Sequence, residues 1–236
     1  MSKQEVTDTI TNRLSAAHDK IQQARQLAKT PTNEVTLMAV SKTKPTTDII
    51  DAYHAGQRIF GENYAQELFD KASELAQFRD IEWHYIGPIQ SNKTKIIAQA
   101  SHWVDSVDRI KVAKRLNQHA AELNKTLNIL LQVNISESMS KSGLALSEVA
   151  SFASEVADLP NICLRGLMAI PDAYDDPTLT EKEFLQMKAC FLELKQQYPS
   201  VDTLSLGMSN DLDIAISCGS TMVRLGTAIF GARSTN

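Results

Sequence analysis

The 236-residue chain is 43% hydrophobic and 22% charged, with a formal net charge of -4 and no Lys/Arg block longer than a pair. That balance supports a sizeable buried core and argues against disorder and against a nucleic-acid partner held through phosphates. The start "MSKQEVTDTITNRL" lacks an apolar signal core, no run approaches the roughly 18 apolar residues of a membrane span, and Cys163, Cys190 and Cys218 stand far apart in apolar or helical surroundings, so a cytoplasmic protein with buried thiols, no metal site and no membrane partner is expected.

Val6, Ile10, Leu14, Ile21, Ala24 and Leu27 recur at helical spacing, predicting a helix over 6–27. Strand and helix patterns then alternate: "TLMAVSK" and "TTDIIDAYHAG", "RIFGEN" and "AQELFDKASELAQF", "EWHYIG" and "SNKTKIIAQA", "HWVDSV" and "RIKVAKRLNQHAAELNK". The second half continues with "LNILLQVNI" and "LSEVASFASEVADL", "CLRGLMAI" and "TEKEFLQMKACFLELKQQY", "TLSLGM" and "DLDIAISCG", and closes on the strand "MVRLGTAIF". Thr180 and Glu183 suggest a capping box, with Phe184, Met187, Phe191, Leu194 and Tyr198 on one face, and "PDAYDDPTL" reads as the longest surface loop. Eight such units fit a closed (β/α)8 barrel, whereas a doubly wound sheet usually has fewer strands and a glycine-rich first turn, absent here. One domain over 1–236 is expected.

In such barrels the reactive groups sit at the carboxyl ends of the strands. Those ends offer Lys42, Asn63 in "FGENY", His84 in "EWHYIG", Asn134 followed by "SKSG", and Met168 in "RGLMAIP". Strand seven ends in "SLGMSND", where Gly207 gives backbone room and Ser209 can cap the next helix; strand eight repeats that chemistry with Gly226 and Thr227. Loops after strands seven and eight are the usual phosphate grip. Alternation allows Lys42 and Arg224 to face the barrel axis: if Lys42 points inward so do Val40 and Met38, and if Arg224 points inward so does Met222. A lysine above a hydrophobic floor loses its proton more readily, and the neutral amine can form an imine with an aldehyde.

Lysine plus phosphate grip therefore implies a phosphorylated carbonyl compound, either a sugar-phosphate aldolase substrate or pyridoxal 5'-phosphate (PLP). Arg224 favours PLP, whose ring nitrogen needs a partner, while an aldolase would more naturally supply a second lysine or a carboxylate beside the imine. Lys44 is a weak candidate for that second lysine. His84 and Met168 also read as packing residues, "SKSG" with Lys141 as a solvated turn, and Asp211 and Asp213 as residues of a helix's first turn.

The segments "AVSKTKP", "GQRIFGENYAQE", "EWHYIGPIQSNK", "SKSG", "RGLMAIP", "LSLGMSND" and "GSTMVRLGTAIFGAR" span nearly the whole chain and resemble the pyridoxal-phosphate homeostasis proteins, single-domain relatives of the alanine racemase barrel. The resemblance implies a single (β/α)8 TIM barrel of the fold type III PLP-binding class, with an extra N-terminal helix. It implies PLP carried on Lys42 as an internal aldimine, phosphate held by Ser209, Gly226 and Thr227, Arg224 facing the pyridine nitrogen, and Asn63, His84 and Met168 lining the pocket. It implies a cofactor carrier rather than an enzyme with established turnover, with apo forms of PLP enzymes as candidate recipients, and Lys141 is carried as a second lysine for loading or releasing PLP. The alternative is a racemase-like PLP enzyme. Racemases of the related fold draw an opposing tyrosine base from a second, β-rich domain, whereas this chain ends just after strand eight, from which a monomer without that base is expected. An arginine at the ring nitrogen also disfavours the pyridinium that makes PLP an electron sink.

Overall fold

Short apolar runs buried on both faces form parallel strands only if helices cover them. The computed structural model describes residues 8–28 and 34–232. Its strands are β1 (Thr36–Val40), β2 (Ile59–Glu62), β3 (Glu82–Tyr85), β4 (Trp103–Val107), β5 (Leu127–Val133), β6 (Ile162–Ala169), β7 (Thr203–Ser205) and β8 (Met222–Leu225). They pair in parallel in chain order, and β8 closes onto β1 through Thr36 opposite Met222 and Met38 opposite Arg224. The sheet is a closed eight-stranded (β/α)8 barrel.

The covering helices are α1 (Ile10–Leu27), α2 (Thr46–His54), α3 (Ala65–Glu74), α4 (Thr94–Ala100), α5 (Ile110–Glu122), α6 (Val149–Ala157), α7 (Pro177–Gln197), α8 (Leu212–Ser217) and α9 (Thr227–Phe230). The extra helix α1 buries Leu14, Ala17, Ile21 and Ala24 and packs against α2, α8 and α9, beside the β1–β8 closure. Val6 of the expected helix lies outside the described residues.

Pleating sorts the strand residues into two layers. Leu37, Ala39, Phe60, Trp83, Tyr85, Val223 and Leu225 join the large core shared with the helices, while Trp103, Leu130 and Met168 form a separate cluster with Ile170 inside the barrel. That interior is more polar than the hydrophobic floor expected beneath Lys42, because buried His84, Asp105, Ser205 and Arg224 share it with Met38 and Met168. Among the described residues, no helix is long and apolar enough to cross a membrane. Cys218 is buried, whereas Cys163 and Cys190 are half-buried.

Three local expectations change. The run "MVRLGTAIF" is not one strand: it stops at Leu225, and Thr227–Phe230 is a helical turn. The capping box at Thr180 and Glu183 is replaced by Asp176, whose carboxylate accepts the Thr178 N–H, with Pro177 in the first turn; proline there sacrifices no helical hydrogen bond. The helix so gains three residues from the loop, and Glu183 instead accepts from Ser136 Oγ and Tyr174 Oη. Ser209 does not cap α8; Asp211 is the N-cap residue, and its carboxylate accepts the Met208 N–H at 2.6 Å.

Candidate functional site

The lysine of the first turn owes its place to a tight reversal after β1. Ser41 N–H donates to Gly61 O at 3.0 Å, continuing the ladder to β2, and Lys44 N–H returns to Ser41 O at 3.1 Å. Between them Thr43 has φ of 62°, a left-handed conformation costly for a β-branched residue. Lys42 rides on this reversal, half-buried, and lines a cavity of about 270 Å³ at the carboxyl ends of the strands together with Val40.

The same cavity is lined by Asn63 after β2, Met168 on β6, Ser209 in the turn after β7, Arg224 on β8, and Gly226 and Thr227 after it. Seven of the eight candidate residues are thus gathered into one space, with Ile86, Ile170 and Met208 as apolar walls. Gly207 adopts φ of 94°, a conformation favouring glycine, and lets the Ser209 turn fold back.

Arg224 is almost fully buried. Its Nη1 donates to Ser205 O at 2.8 Å and Ser205 Oγ at 2.6 Å, and its Nη2 donates to Ala169 O at 2.9 Å. All three acceptors are neutral, so burial lowers its pKa to about 10, partly opposed by the charges of Asp105 and Asp211. The guanidinium is held rigidly as a cation in a low-dielectric wall.

His84 is not among the cavity-lining residues. It lies in the barrel interior with Nδ1 at 3.0 and 3.1 Å from the two Asp105 oxygens and Nε2 at 3.2 Å from Glu82 Oε1, stacked on Trp103 at 5.0 Å. Burial alone would lower its pKa, but Asp105 and Glu82 outweigh that and raise it to about 9. With a carboxylate on each ring nitrogen, it is an imidazolium at neutral pH.

The remaining lysines are engaged elsewhere. Lys44 Nζ donates to Phe230 O at 2.9 Å and Ala232 O at 2.7 Å, tying the end of α9 to the first turn. Lys141 Nζ donates to Pro171 O at 2.7 Å and pairs with Asp172 at 2.6 Å, linking the loop after β5 to the loop after β6. Asn134 organises that loop, accepting from Ser138 N–H and donating to Ser138 O. Sequence reading missed Asp105 and Glu82 as partners of His84, and it missed Glu62, Glu67 and Lys71 behind the Lys42 turn. Only the Glu67 and Lys71 pair carried a signal, the four-residue spacing of a helical ion pair.

The family model for the alanine racemase N-terminal domain matches residues 13–234. The chain is 51% identical over 228 residues to the pyridoxal phosphate homeostasis protein of Pasteurella multocida, covering 95% of this chain and 98% of that one. It is 49% identical over 227 residues to the protein of the same name in Escherichia coli K12, covering 95% and 97%. Among solved structures, PipY of Synechococcus elongatus PCC7942 with PLP bound superimposes with a TM-score of 0.82 at 34% identity, covering 94% of this chain and 100% of that one. An alanine racemase of Clostridium difficile 630, at 14% identity and a TM-score of 0.74, covers 98% of this chain and 61% of that one, and shares the fold.

Proposed function

Since the chain belongs to the pyridoxal phosphate homeostasis proteins, within the alanine racemase N-terminal domain family, we propose that the cavity at the carboxyl ends of its strands is where it holds PLP. It is a PLP-binding protein of cofactor homeostasis rather than an enzyme with established turnover. The observation that carries the placement is the convergence of Lys42, Arg224 and the Ser209 and Thr227 turns on one cavity of about 270 Å³, near the lower end of ligand-pocket sizes of about 300 Å³ and suited to a single substituted ring.

The residues present fit the cofactor. Asn63 lines the cavity, and its Oδ1 is buried without a hydrogen-bond partner in the protein, a costly state that a ligand donor would relieve. Arg224 presents a fixed cation whose bonded acceptors are all neutral, so we assign it to the ring nitrogen, which it keeps unprotonated. Ser209 and Thr227 supply hydroxyl and backbone donors for the phosphate, and Gly226 lets that loop pass close to β1, where an added Cβ would lie 3.2 Å from Val40 O. Met168 forms an apolar wall. When bound, PLP supplies an aldehyde: a neutral lysine amine joins its carbon by a C=N bond, and the carbonyl oxygen leaves as water with both amine hydrogens. We assign that amine to Lys42.

We read the protein as one domain over 1–236, monomeric and cytoplasmic, without nucleic-acid or membrane partners, delivering PLP to apo forms of PLP enzymes. Titration with PLP, borohydride reduction and peptide mapping test the site. The expected result is a visible absorption band and a label on Lys42, with Lys42→Ala removing the band and leaving the far-ultraviolet circular dichroism unchanged. A retained band with the label on Lys44 or Lys141 would overturn the assignment.

A further inference from the structure

Behind the Lys42 turn, on the opposite side of β2 from the cavity, lies a cluster of charge that the cofactor site does not use. Glu62 is fully buried at the end of β2, and Lys71 on α3 is nearly so. Lys71 Nζ donates to Glu62 Oε1 at 2.8 Å, Glu67 Oε1 at 2.7 Å and the backbone Ser41 O at 2.8 Å. Ser41 Oγ donates to Glu62 Oε1 at 2.6 Å, and Thr43 N–H donates to Glu67 Oε1 at 2.6 Å.

These bonds grip the residues on either side of Lys42. Ser41 is held through its hydroxyl and its carbonyl, and Thr43 through the N–H of the peptide that follows Lys42. Thr43 is also the residue with φ of 62°, a conformation that persists only when its surroundings impose it. A buried ion cluster is a poor source of net stability against well-packed apolar residues, but it fixes geometry in a way that apolar contacts do not. Glu62 shows that cost: burial pushes its carboxyl above the usual carboxylate range despite Lys71 and Ser41.

We propose that Glu62, Glu67 and Lys71 are positioning residues for Lys42, clamping the 41–43 backbone in its strained turn so that the Lys42 amine is delivered into the cavity in a pose that can bond an aldehyde carbon. The inference rests on the assignment of Lys42 as the PLP lysine. It separates two parts of binding. The phosphate and ring contacts come from Ser209, Thr227 and Arg224 on the far side of the barrel closure, and they do not depend on the clamp. The covalent bond to Lys42 does.

The test compares PLP with pyridoxine 5'-phosphate, which has the same ring and phosphate and an alcohol in place of the aldehyde. In the parent protein PLP should bind more tightly than the alcohol. Glu67→Ala, a half-buried position, removes the acceptor of Thr43 N–H; it should lower PLP affinity and the rate of lysine bonding about tenfold or more, the scale of a small misplacement of a reacting group, while affinity for pyridoxine 5'-phosphate stays within about twofold. Glu67→Gln, which keeps an acceptor oxygen, should restore part of the loss. Lys71→Met should reproduce the Glu67→Ala pattern; because it strands a buried carboxylate, Glu67→Ala decides if it does not fold. Equal losses for both ligands, or no loss for either, would overturn the clamp and leave the Lys42 assignment standing. A parent protein with no preference for the aldehyde would overturn the Lys42 assignment and the clamp with it.

Discussion

Ser209 and His84, both expected at the cavity from their strand ends, act differently. Ser209 sits at the rim, where its hydroxyl is free of the capping role and can donate to an anion. Ser209→Ala should therefore weaken PLP binding by roughly 1 to 3 kcal/mol, the scale of a hydrogen bond to a charged group, measured by equilibrium titration; unchanged affinity would place the phosphate elsewhere. His84 acts on the fold. Its folded pKa of about 9 exceeds its ordinary value of 6.5, so the folded state binds the extra proton between those limits. Its contribution is fully present below about pH 6.5 and is lost as pH rises through about 9, amounting to on the order of 3 kcal/mol. Urea unfolding across that window should show stability falling with pH in the parent, and a flatter slope in His84→Gln.

At the scale of elements, the cavity exists because neighbouring β-to-α turns pack on one another more closely than side chains allow. Gly87, just after β3, lies against the backbone after β2; a Cβ there would be 1.9 Å from Asn63 O. Any side chain must push the Asn63 loop away, and Asn63 lines the cavity with its Oδ1 buried and unsatisfied. Gly87→Ala should accordingly displace Asn63, lowering PLP affinity and destabilising the protein by roughly 1 to 3 kcal/mol, read from a ligand titration and a denaturant midpoint. Full affinity in this variant would show that Asn63 is not needed for the cofactor. The closing elements work similarly: Lys44, from the first turn, holds the carbonyls at the end of α9, so the loops after β1 and β8 meet across the barrel seam.

Over the whole molecule, closure of the barrel brings residues from opposite ends of the chain together, and β8 lies beside β1 with Arg224 opposite Met38. The lysine and its proposed ring partner are therefore 182 positions apart in sequence (224 minus 42) and line one space. α1 covers this seam with an apolar face that is already buried, which leaves that side of the barrel without need of a second subunit. Sedimentation equilibrium should give the mass of one 26.1 kDa chain, with and without PLP; a dimer mass would overturn the monomer reading.

The alternation of short apolar runs with amphipathic segments determined the eight strands, their parallel order and the barrel, because hydrophobic periodicity is local and βα connectivity leaves few topologies. Strand-end chemistry likewise exposed Lys42, Asn63, Met168, Ser209, Arg224, Gly226 and Thr227 as a group. What the tertiary structure decided is what depends on contacts distant in sequence. His84 looked like a cavity residue because it stands near a strand's carboxyl end, yet Asp105 from the next strand and Glu82 hold it within the barrel interior. The end of β8 at Leu225 and the early start of α7 at Pro177 were instead masked locally, by an apolar run that carries on through Gly226 and by the acidic stretch before Thr180. The clamp on the Lys42 turn was illegible, since nothing in "FGENYAQELFDK" states that Glu62, Glu67 and Lys71 converge on Ser41 and Thr43 until β2 is paired with β1 and α3 is laid against them.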